Sequence, residues 1–155
     1  MSKYILIPDS FKGTMSSVEI CGIVAEALRA QEPDAEIRAI PVADGGEGTV
    51  DAFLAASGGQ RIAVACAGPY GEPVTACYGL LPDGTAVVED DLELTASALR
   101  RYGSRLYVLG DVTIPAESAD LLARVESLHV TGEVQLPEEL EDAFYAIPDL
   151  ECGKV

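Results

Sequence analysis

The chain has 155 residues, 48% of them hydrophobic, with 10 basic side chains against 26 acidic ones. That length fits one ordinary domain or two very small ones, and the apolar share is enough for a packed core, which excludes wholesale disorder. A formal charge of -16, divided as -7 over residues 1–89 and -9 over residues 90–155, argues against nucleic acid or an anionic membrane as partner. No apolar run approaches the ~20 residues of a membrane-spanning helix. The opening MSKYILIPDS has no signal-peptide apolar region, so a cytoplasmic location is expected.

In chain order, residues 4–8 (YILIP) read as a short buried strand ending at Asp9-Ser10. Ser16 followed by Glu19 is a capping-box pattern. Behind it Ile20, Val24 and Leu28, with Ile23 and Ala27 beside them, predict a helix from about Ser17 to Ala30 that stops before Pro33. Residues 36–42 (EIRAIPV) read as a second strand, with Pro41 at an edge or at its exit. Gly45-Gly46-Glu47-Gly48 then breaks the chain, and Thr49 to Ala56 predicts a second helix closed by Gly58-Gly59. Strand, helix, strand, helix at this spacing begins a parallel α/β sheet. Residues 61–66, 73–81 and 85–89 are β segments parted by turn residues at 68–71 and 82–84, the pattern of antiparallel strands or a hairpin.

From position 90 the texture changes. Leu92 to Tyr102 predicts a helix ended by Gly103. Residues 106–122 (LYVLGDVTIPAESADLL) then align with residues 128–144 (LHVTGEVQLPEELEDAF) at a period of 22, identical at seven of seventeen positions. Each unit opens with strict alternation, Leu106, Val108, Gly110, Val112, Ile114, which predicts a strand with one buried face. A proline stops it, and an acidic helical turn follows with Leu121 and Leu122, or Leu140 and Phe144. A strand and a helical turn per unit is the architecture of a leucine-rich-type solenoid, although the usual consensus is absent. Leu150 and Cys152 open a third unit. The expected fold class is therefore α/β: a βαβα parallel-sheet segment with a β-hairpin over residues 1–89, then a helix and two leucine-rich-repeat-like strand-turn-helix units over residues 90–155.

Cys21, Cys66, Cys77 and Cys152 show no metal or redox spacing, and free thiols are expected. His129, the single histidine, leaves little room for a Ser-His-Asp or Cys-His nucleophile. It lies on the face opposite the repeat's Leu/Val/Gly face and reads as a surface residue.

Two loops carry residues suited to chemistry. Asp9-Ser10-Phe11-Lys12-Gly13, between a strand and a helix, offers a cation and small polar groups to an anion such as phosphate or carboxylate. From bare spacing an ordinary turn with a solvated lysine is the commoner reading. In Ala43-Asp44-Gly45-Gly46-Glu47-Gly48-Thr49 the glycines let backbone amides approach a ligand, and Asp44 with Glu47 can hold a magnesium ion. The motif is neither a dinucleotide fingerprint nor a Walker A loop, and plain turn chemistry also explains it. In a parallel sheet both loops leave the carboxyl ends of neighbouring strands, where open α/β folds bind ligands.

The segments IPDSFKGTMSS (7–17), PVADGGEGTVDAFLAASGG (41–59) and GPYGEPVTACYGLL (68–81) resemble, in order and spacing, the N-terminal part of the glycerate kinase family of bacterial type. The resemblance covers residues 1 to about 89. It implies phosphorylation of glycerate with ATP and Mg2+ in a two-domain α/β enzyme. The matching positions are Asp9, Ser10, Lys12, Asp44, Gly45, Gly46, Glu47 and Thr49. Asp9, Lys12 and Asp44 are expected in catalysis, Ser10, Gly45, Gly46 and Thr49 in holding substrate or phosphate, and Asp44 with Glu47 on the metal. Such groups position reactants and neutralise charge in phosphoryl transfer.

Kinases of this family are much longer, and a site that must gather ATP, metal and acceptor needs more than two loops. The expectation is thus a kinase-family chain that is catalytically incomplete. The alternative is a non-catalytic interaction or self-association module built on the repeat, whose open strand edge promotes a homo-oligomer.

Overall fold

The alternation of strand and helix at the start of the chain is realised in the computed structural model as β1 (Lys3–Leu6), α1 (Ser17–Gln31), β2 (Glu36–Ala39) and α2 (Thr49–Ser57). The structure describes residues 1–43, 48–68 and 70–155. The chain divides into two compact units, Met1–Gly58 and Gly59–Val155.

In the first unit β1 and β2 pair in parallel, Lys3 against Glu36 through Leu6 against Ala39. Helix α1 packs on both strands, as the crossover helix of a βαβ unit does. Its predicted capping box is complete, with Ser16 and Glu19 each satisfying the other's backbone amide. The apolar stripe read from the sequence is only partly covered. Ile20, Cys21 and Ala25 are buried, whereas Ile23 and Val24 are 57% and 38% exposed. The cause is geometric: two strands ~4.8 Å apart cannot cover the flank of a four-turn helix. Pro41 follows the end of β2 and marks its exit.

The second unit contains β3 (Gln60–Ala67), β4 (Pro73–Leu80), β5 (Ala86–Val88), β6 (Leu92–Glu93), α3 (Ala96–Tyr102), β7 (Arg105–Val108), β8 (Val112–Thr113), α4 (Ala119–Leu122), β9 (Ser127–Gln135), α5 (Glu141–Tyr145) and β10 (Asp149–Lys154). Strands β3 and β4 form the expected antiparallel hairpin, and β4 pairs antiparallel with β5. From there the sheet is parallel: β5 pairs with β7, β7 with β9, and β9 with β10. The second half of β9 pairs with β8, and β8 with β6. The molecule is thus mixed α/β with parallel and antiparallel pairing.

The registers follow the repeat period. Leu106 lies opposite Leu128, Leu128 opposite Leu150, and Val112 opposite Val134. Between β5 and β7, and between β6 and β8, the offset is 20 residues rather than 22. After Pro115 and Pro137 a 3-10 turn leads into α4 and α5, which bury Leu122 and Phe144. The alternation read from residues 106–114 holds, since Leu106, Val108, Val112 and Ile114 are all at most 1% exposed. One cluster joins these residues to Leu94, Leu99, Leu128, Val134 and Phe144. Each such side chain contributes roughly 1.5–3 kcal/mol by leaving water.

Three expectations are corrected. The helix read over Leu92 to Tyr102 begins only at Ala96. Leu92 and Leu94 instead donate their amides to Asp111 and Thr113, and the Thr95 hydroxyl caps the helix through Ala98. The hairpin belongs to the second unit's sheet rather than to the N-terminal parallel strands. Finally, the strand read over residues 106–114 is broken into β7 and β8, with residues 109–111 between them. Position 89 itself falls between β5 and β6, inside the second unit. Parallel pairing of β5 with β7 is what carries the sheet across position 89.

Candidate functional site

Because β1 and β2 are parallel neighbours, the loops after them leave the same end of the pair. The first loop is built locally. Phe11 and Met15 exchange backbone hydrogen bonds at 2.9 and 3.0 Å, and the Thr14 amide donates to the Phe11 carbonyl at 2.8 Å. Gly13 at φ +72° permits this tight closure. Lys12 is thereby carried on an exposed tip. Asp9 turns one carboxylate oxygen back to accept the Ser10 amide at 2.7 Å. Ser10 is half-buried and Asp9 exposed.

The N-terminus of α1 is closed by the chain itself. Glu19 accepts both the Ser16 amide and the Ser16 hydroxyl at 2.8 Å. The Ser16 amide, and then its hydroxyl, hold the Glu19 carboxyl below its ordinary value. The helix end is therefore already paired with a carboxylate, and Lys12 supplies the cationic group of this loop.

The next residue, Ser17, is 6% exposed. Its hydroxyl donates to the Pro8 carbonyl at 2.6 Å and accepts the Val42 amide at 3.0 Å. It links the two loops, and the sequence reading took it only as the first residue of a helix. The adjacent capping serine masked it.

In the second loop Asp44, Gly45, Gly46 and Glu47, the expected metal and phosphate residues, lie outside the described residues. Beyond them Gly48 at φ +93° precedes α2, and Thr49, its first residue, is 6% exposed. Among the expected residues, the structure thus places Asp9, Ser10 and Lys12 on one loop and Thr49 at the start of α2. Among the described residues, no group of three or more His, Cys, Asp or Glu side chains is placed to hold a metal. No helix among them is long and apolar enough to cross a membrane. All four cysteines are free.

The second unit holds a further polar cluster. His129 sits with Nε2 3.4 Å from Asp149 and Nδ1 3.1 Å from Glu151, and its ring stacks on Tyr107 at 5.7 Å. The Ser127 hydroxyl donates to Asp149 at 2.7 Å. That bond, then the one from His129, holds the Asp149 carboxyl below its ordinary value. His129 does face away from the core, as read from the sequence, but it is flanked rather than simply solvated. The signal was present in the period, because residue 151 lies 22 positions after residue 129.

Known proteins resemble this chain in sequence and in fold. The chain is 44% identical to a glycerate kinase of Bacillus subtilis over 88 residues, covering 56% of this chain and 23% of that protein. It is 35% identical to a glycerate 2-kinase of Escherichia coli over 134 residues, covering 86% of this chain and 31% of that protein. A crystal structure from Salmonella typhimurium LT2, of a protein assigned as glycerate kinase 2, superposes with a TM-score of 0.56 at 22% identity, over 86% of this chain and 51% of that one. That likeness supports the mixed α/β fold. The chain spans less than a third of the length of each of these two curated relatives. The sequence model of the glycerate kinase family matches residues 4–94, which takes in both loops and more than half of the chain, and the chain belongs to that family.

Proposed function

We propose that the first unit carries part of an ATP-dependent glycerate kinase site, at the carboxyl ends of β1 and β2. The observation that carries this reading is the linkage of the Pro8 and Val42 backbones through Ser17, inside the segment the family model matches. In this reading Lys12 meets a carboxylate or phosphate, and Asp9 and Asp44 act with it. Ser10, Gly45, Gly46 and Thr49 hold substrate or phosphate, and Asp44 with Glu47 hold Mg2+. Oxygen ligands of that kind suit a hard cation that keeps most of its water. The metal and ATP would supply charge neutralisation and the phosphoryl group; the chain's own part is to bind and orient. A cytoplasmic location fits this chemistry. Calorimetric titration of the chain with D-glycerate and with MgATP, and a coupled assay at high protein concentration, test the reading. Binding of either ligand that depends on Lys12 supports it, and absence of both binding and turnover refutes it.

A second reading is favoured by the other unit. Leu106 and Leu128 are fully buried, whereas Leu150 and Cys152, the next rungs of the same ladders, are only half-buried. A solenoid of the leucine-rich type that leaves its β10 edge unpaired would associate through that edge, and a homo-oligomer follows. Light scattering decides this: a strictly monomeric species at high concentration contradicts it.

A further inference from the structure

We propose that Ser17 is a positioning residue, a hydroxyl wedge that sets the separation of Pro8 and Val42, where the loops that follow β1 and β2 begin. The inference rests on reading those loops as a ligand site. Its basis is the hydrogen-bond ladder between β1 and β2. The Ile40 amide donates directly to the Leu6 carbonyl at 2.8 Å. Two residues on along each strand, the next rung of a parallel ladder would join the Val42 amide to the Pro8 carbonyl. In place of that bond the Ser17 hydroxyl stands between the two groups, accepting from one at 3.0 Å and donating to the other at 2.6 Å.

The substitution of a bridged rung for a direct one has a geometric consequence. Two backbones joined through an oxygen atom sit farther apart than two joined by one N–H···O=C bond. The two backbones are therefore held apart at Pro8 and Val42. Pro8 reinforces the parting, since it has no amide proton to donate to the Ile40 carbonyl across the ladder. The hydroxyl is not spent on capping α1, which Ser16 and Glu19 already do. Nor is it a solvated surface group, being 6% exposed. Only a side chain with both a donor and an acceptor serves both backbone groups. Alanine would leave a buried amide and carbonyl to close on each other or to stand unpaired.

The test uses the full chain with Ser17→Ala, Ser17→Thr and Ser17→Cys, the last keeping the volume with a weak hydrogen-bonding group. D-glycerate and MgATP are titrated into each, and the backbone amides are followed by 15N NMR. In Ser17→Ala the affinity for whichever ligand the wild type binds should fall about tenfold or more, at unchanged helix content. Ser17→Thr should stay within about threefold of wild type. Amide shifts in Ser17→Ala should spread to Asp9–Lys12 and to Val42, and exchange at the Val42 amide should change. Wild-type affinity in Ser17→Ala, with shifts confined to α1, overturns the proposal. If the wild type binds neither ligand, the kinase reading fails, and the wedge is judged on the amides alone. A Val42 amide that shifts and exchanges in Ser17→Ala as in wild type then overturns it. If Ser17→Ala does not fold, the same comparisons are made with Ser17→Cys.

Discussion

The carboxylate of Asp111 accepts the backbone amide of Glu133 at 2.8 Å, tying the segment between β7 and β8 to β9. The Asp91 carboxylate accepts the Asp111 amide at the same distance. Glu133 in turn pairs with Lys154 at 2.8 Å, so the ladder runs Asp91, Asp111, Glu133, Lys154. The glycines beside it let the neighbouring segments approach. A Cβ on Gly110 would stand 2.8 Å from the Asp90 carbonyl carbon, and one on Gly132 would stand 2.5 Å from the Gly110 carbonyl oxygen.

Gly110→Ala and Gly132→Ala should therefore each destabilise the second unit by about 1–3 kcal/mol, because backbone atoms as well as the Asp91 and Asp111 carboxylates stand in the way. Gly22→Ala is the control. Nothing lies within 4 Å of a Cβ there, and the site is in the middle of α1. It should be neutral or stabilising by up to ~1 kcal/mol. Urea unfolding followed by tyrosine fluorescence and circular dichroism measures all three.

Phe144 is fully buried in the main hydrophobic cluster of the second unit. Phe144→Ala should cost about 3–5 kcal/mol. Tyr145→Ala, at a side chain 60% exposed, should cost well under half of that. Equal losses in urea unfolding would contradict the assigned core.

Ser16→Ala removes the cap of α1 and should destabilise the first unit by about 1 kcal/mol. Ser16→Thr, which keeps the hydroxyl, should lie closer to wild type. Hydrogen exchange at the first-turn amides of α1 distinguishes them, with faster exchange expected in the alanine variant alone.

Asp149 carries a pH prediction. The Ser127 hydroxyl and His129 depress its folded-state value. A carboxyl depressed by folding contributes stability that is present above its unfolded value, ~3.9, and lost as pH falls through the lower folded value. On acidification from pH ~5 to pH ~2.5 the wild type should lose more stability than Asp149→Asn. A steeper acid loss in the variant would contradict the bond.

Legibility of the sequence varied with how local the cause was. The first-unit elements were readable because capping, glycine and proline signals are local: Ser16 with Glu19, Gly58-Gly59, and Pro41 after β2. The repeat period carried long-range information, since it predicts which residues pair across strands, Leu106 with Leu128 and Leu128 with Leu150. The start of α3 was misread because Leu92 and Leu94 fit a helical stripe as well as a strand. What decided between them was pairing with β8, whose Val112 lies 20 residues away from Leu92. Ser17 was invisible for a related reason. Its role depends on two backbone groups, at Pro8 and Val42, that only the fold brings together.

In the proposed kinase site the loop carrying Lys12 takes an anionic ligand of the glycerate kinase reaction. Titration of D-glycerate and MgATP into the wild-type chain and into Lys12→Ala tests this most directly. Measurable binding to wild type that weakens about tenfold or more in the variant is expected. Equal affinity in the two proteins, or no binding of either ligand to the wild type, would contradict it.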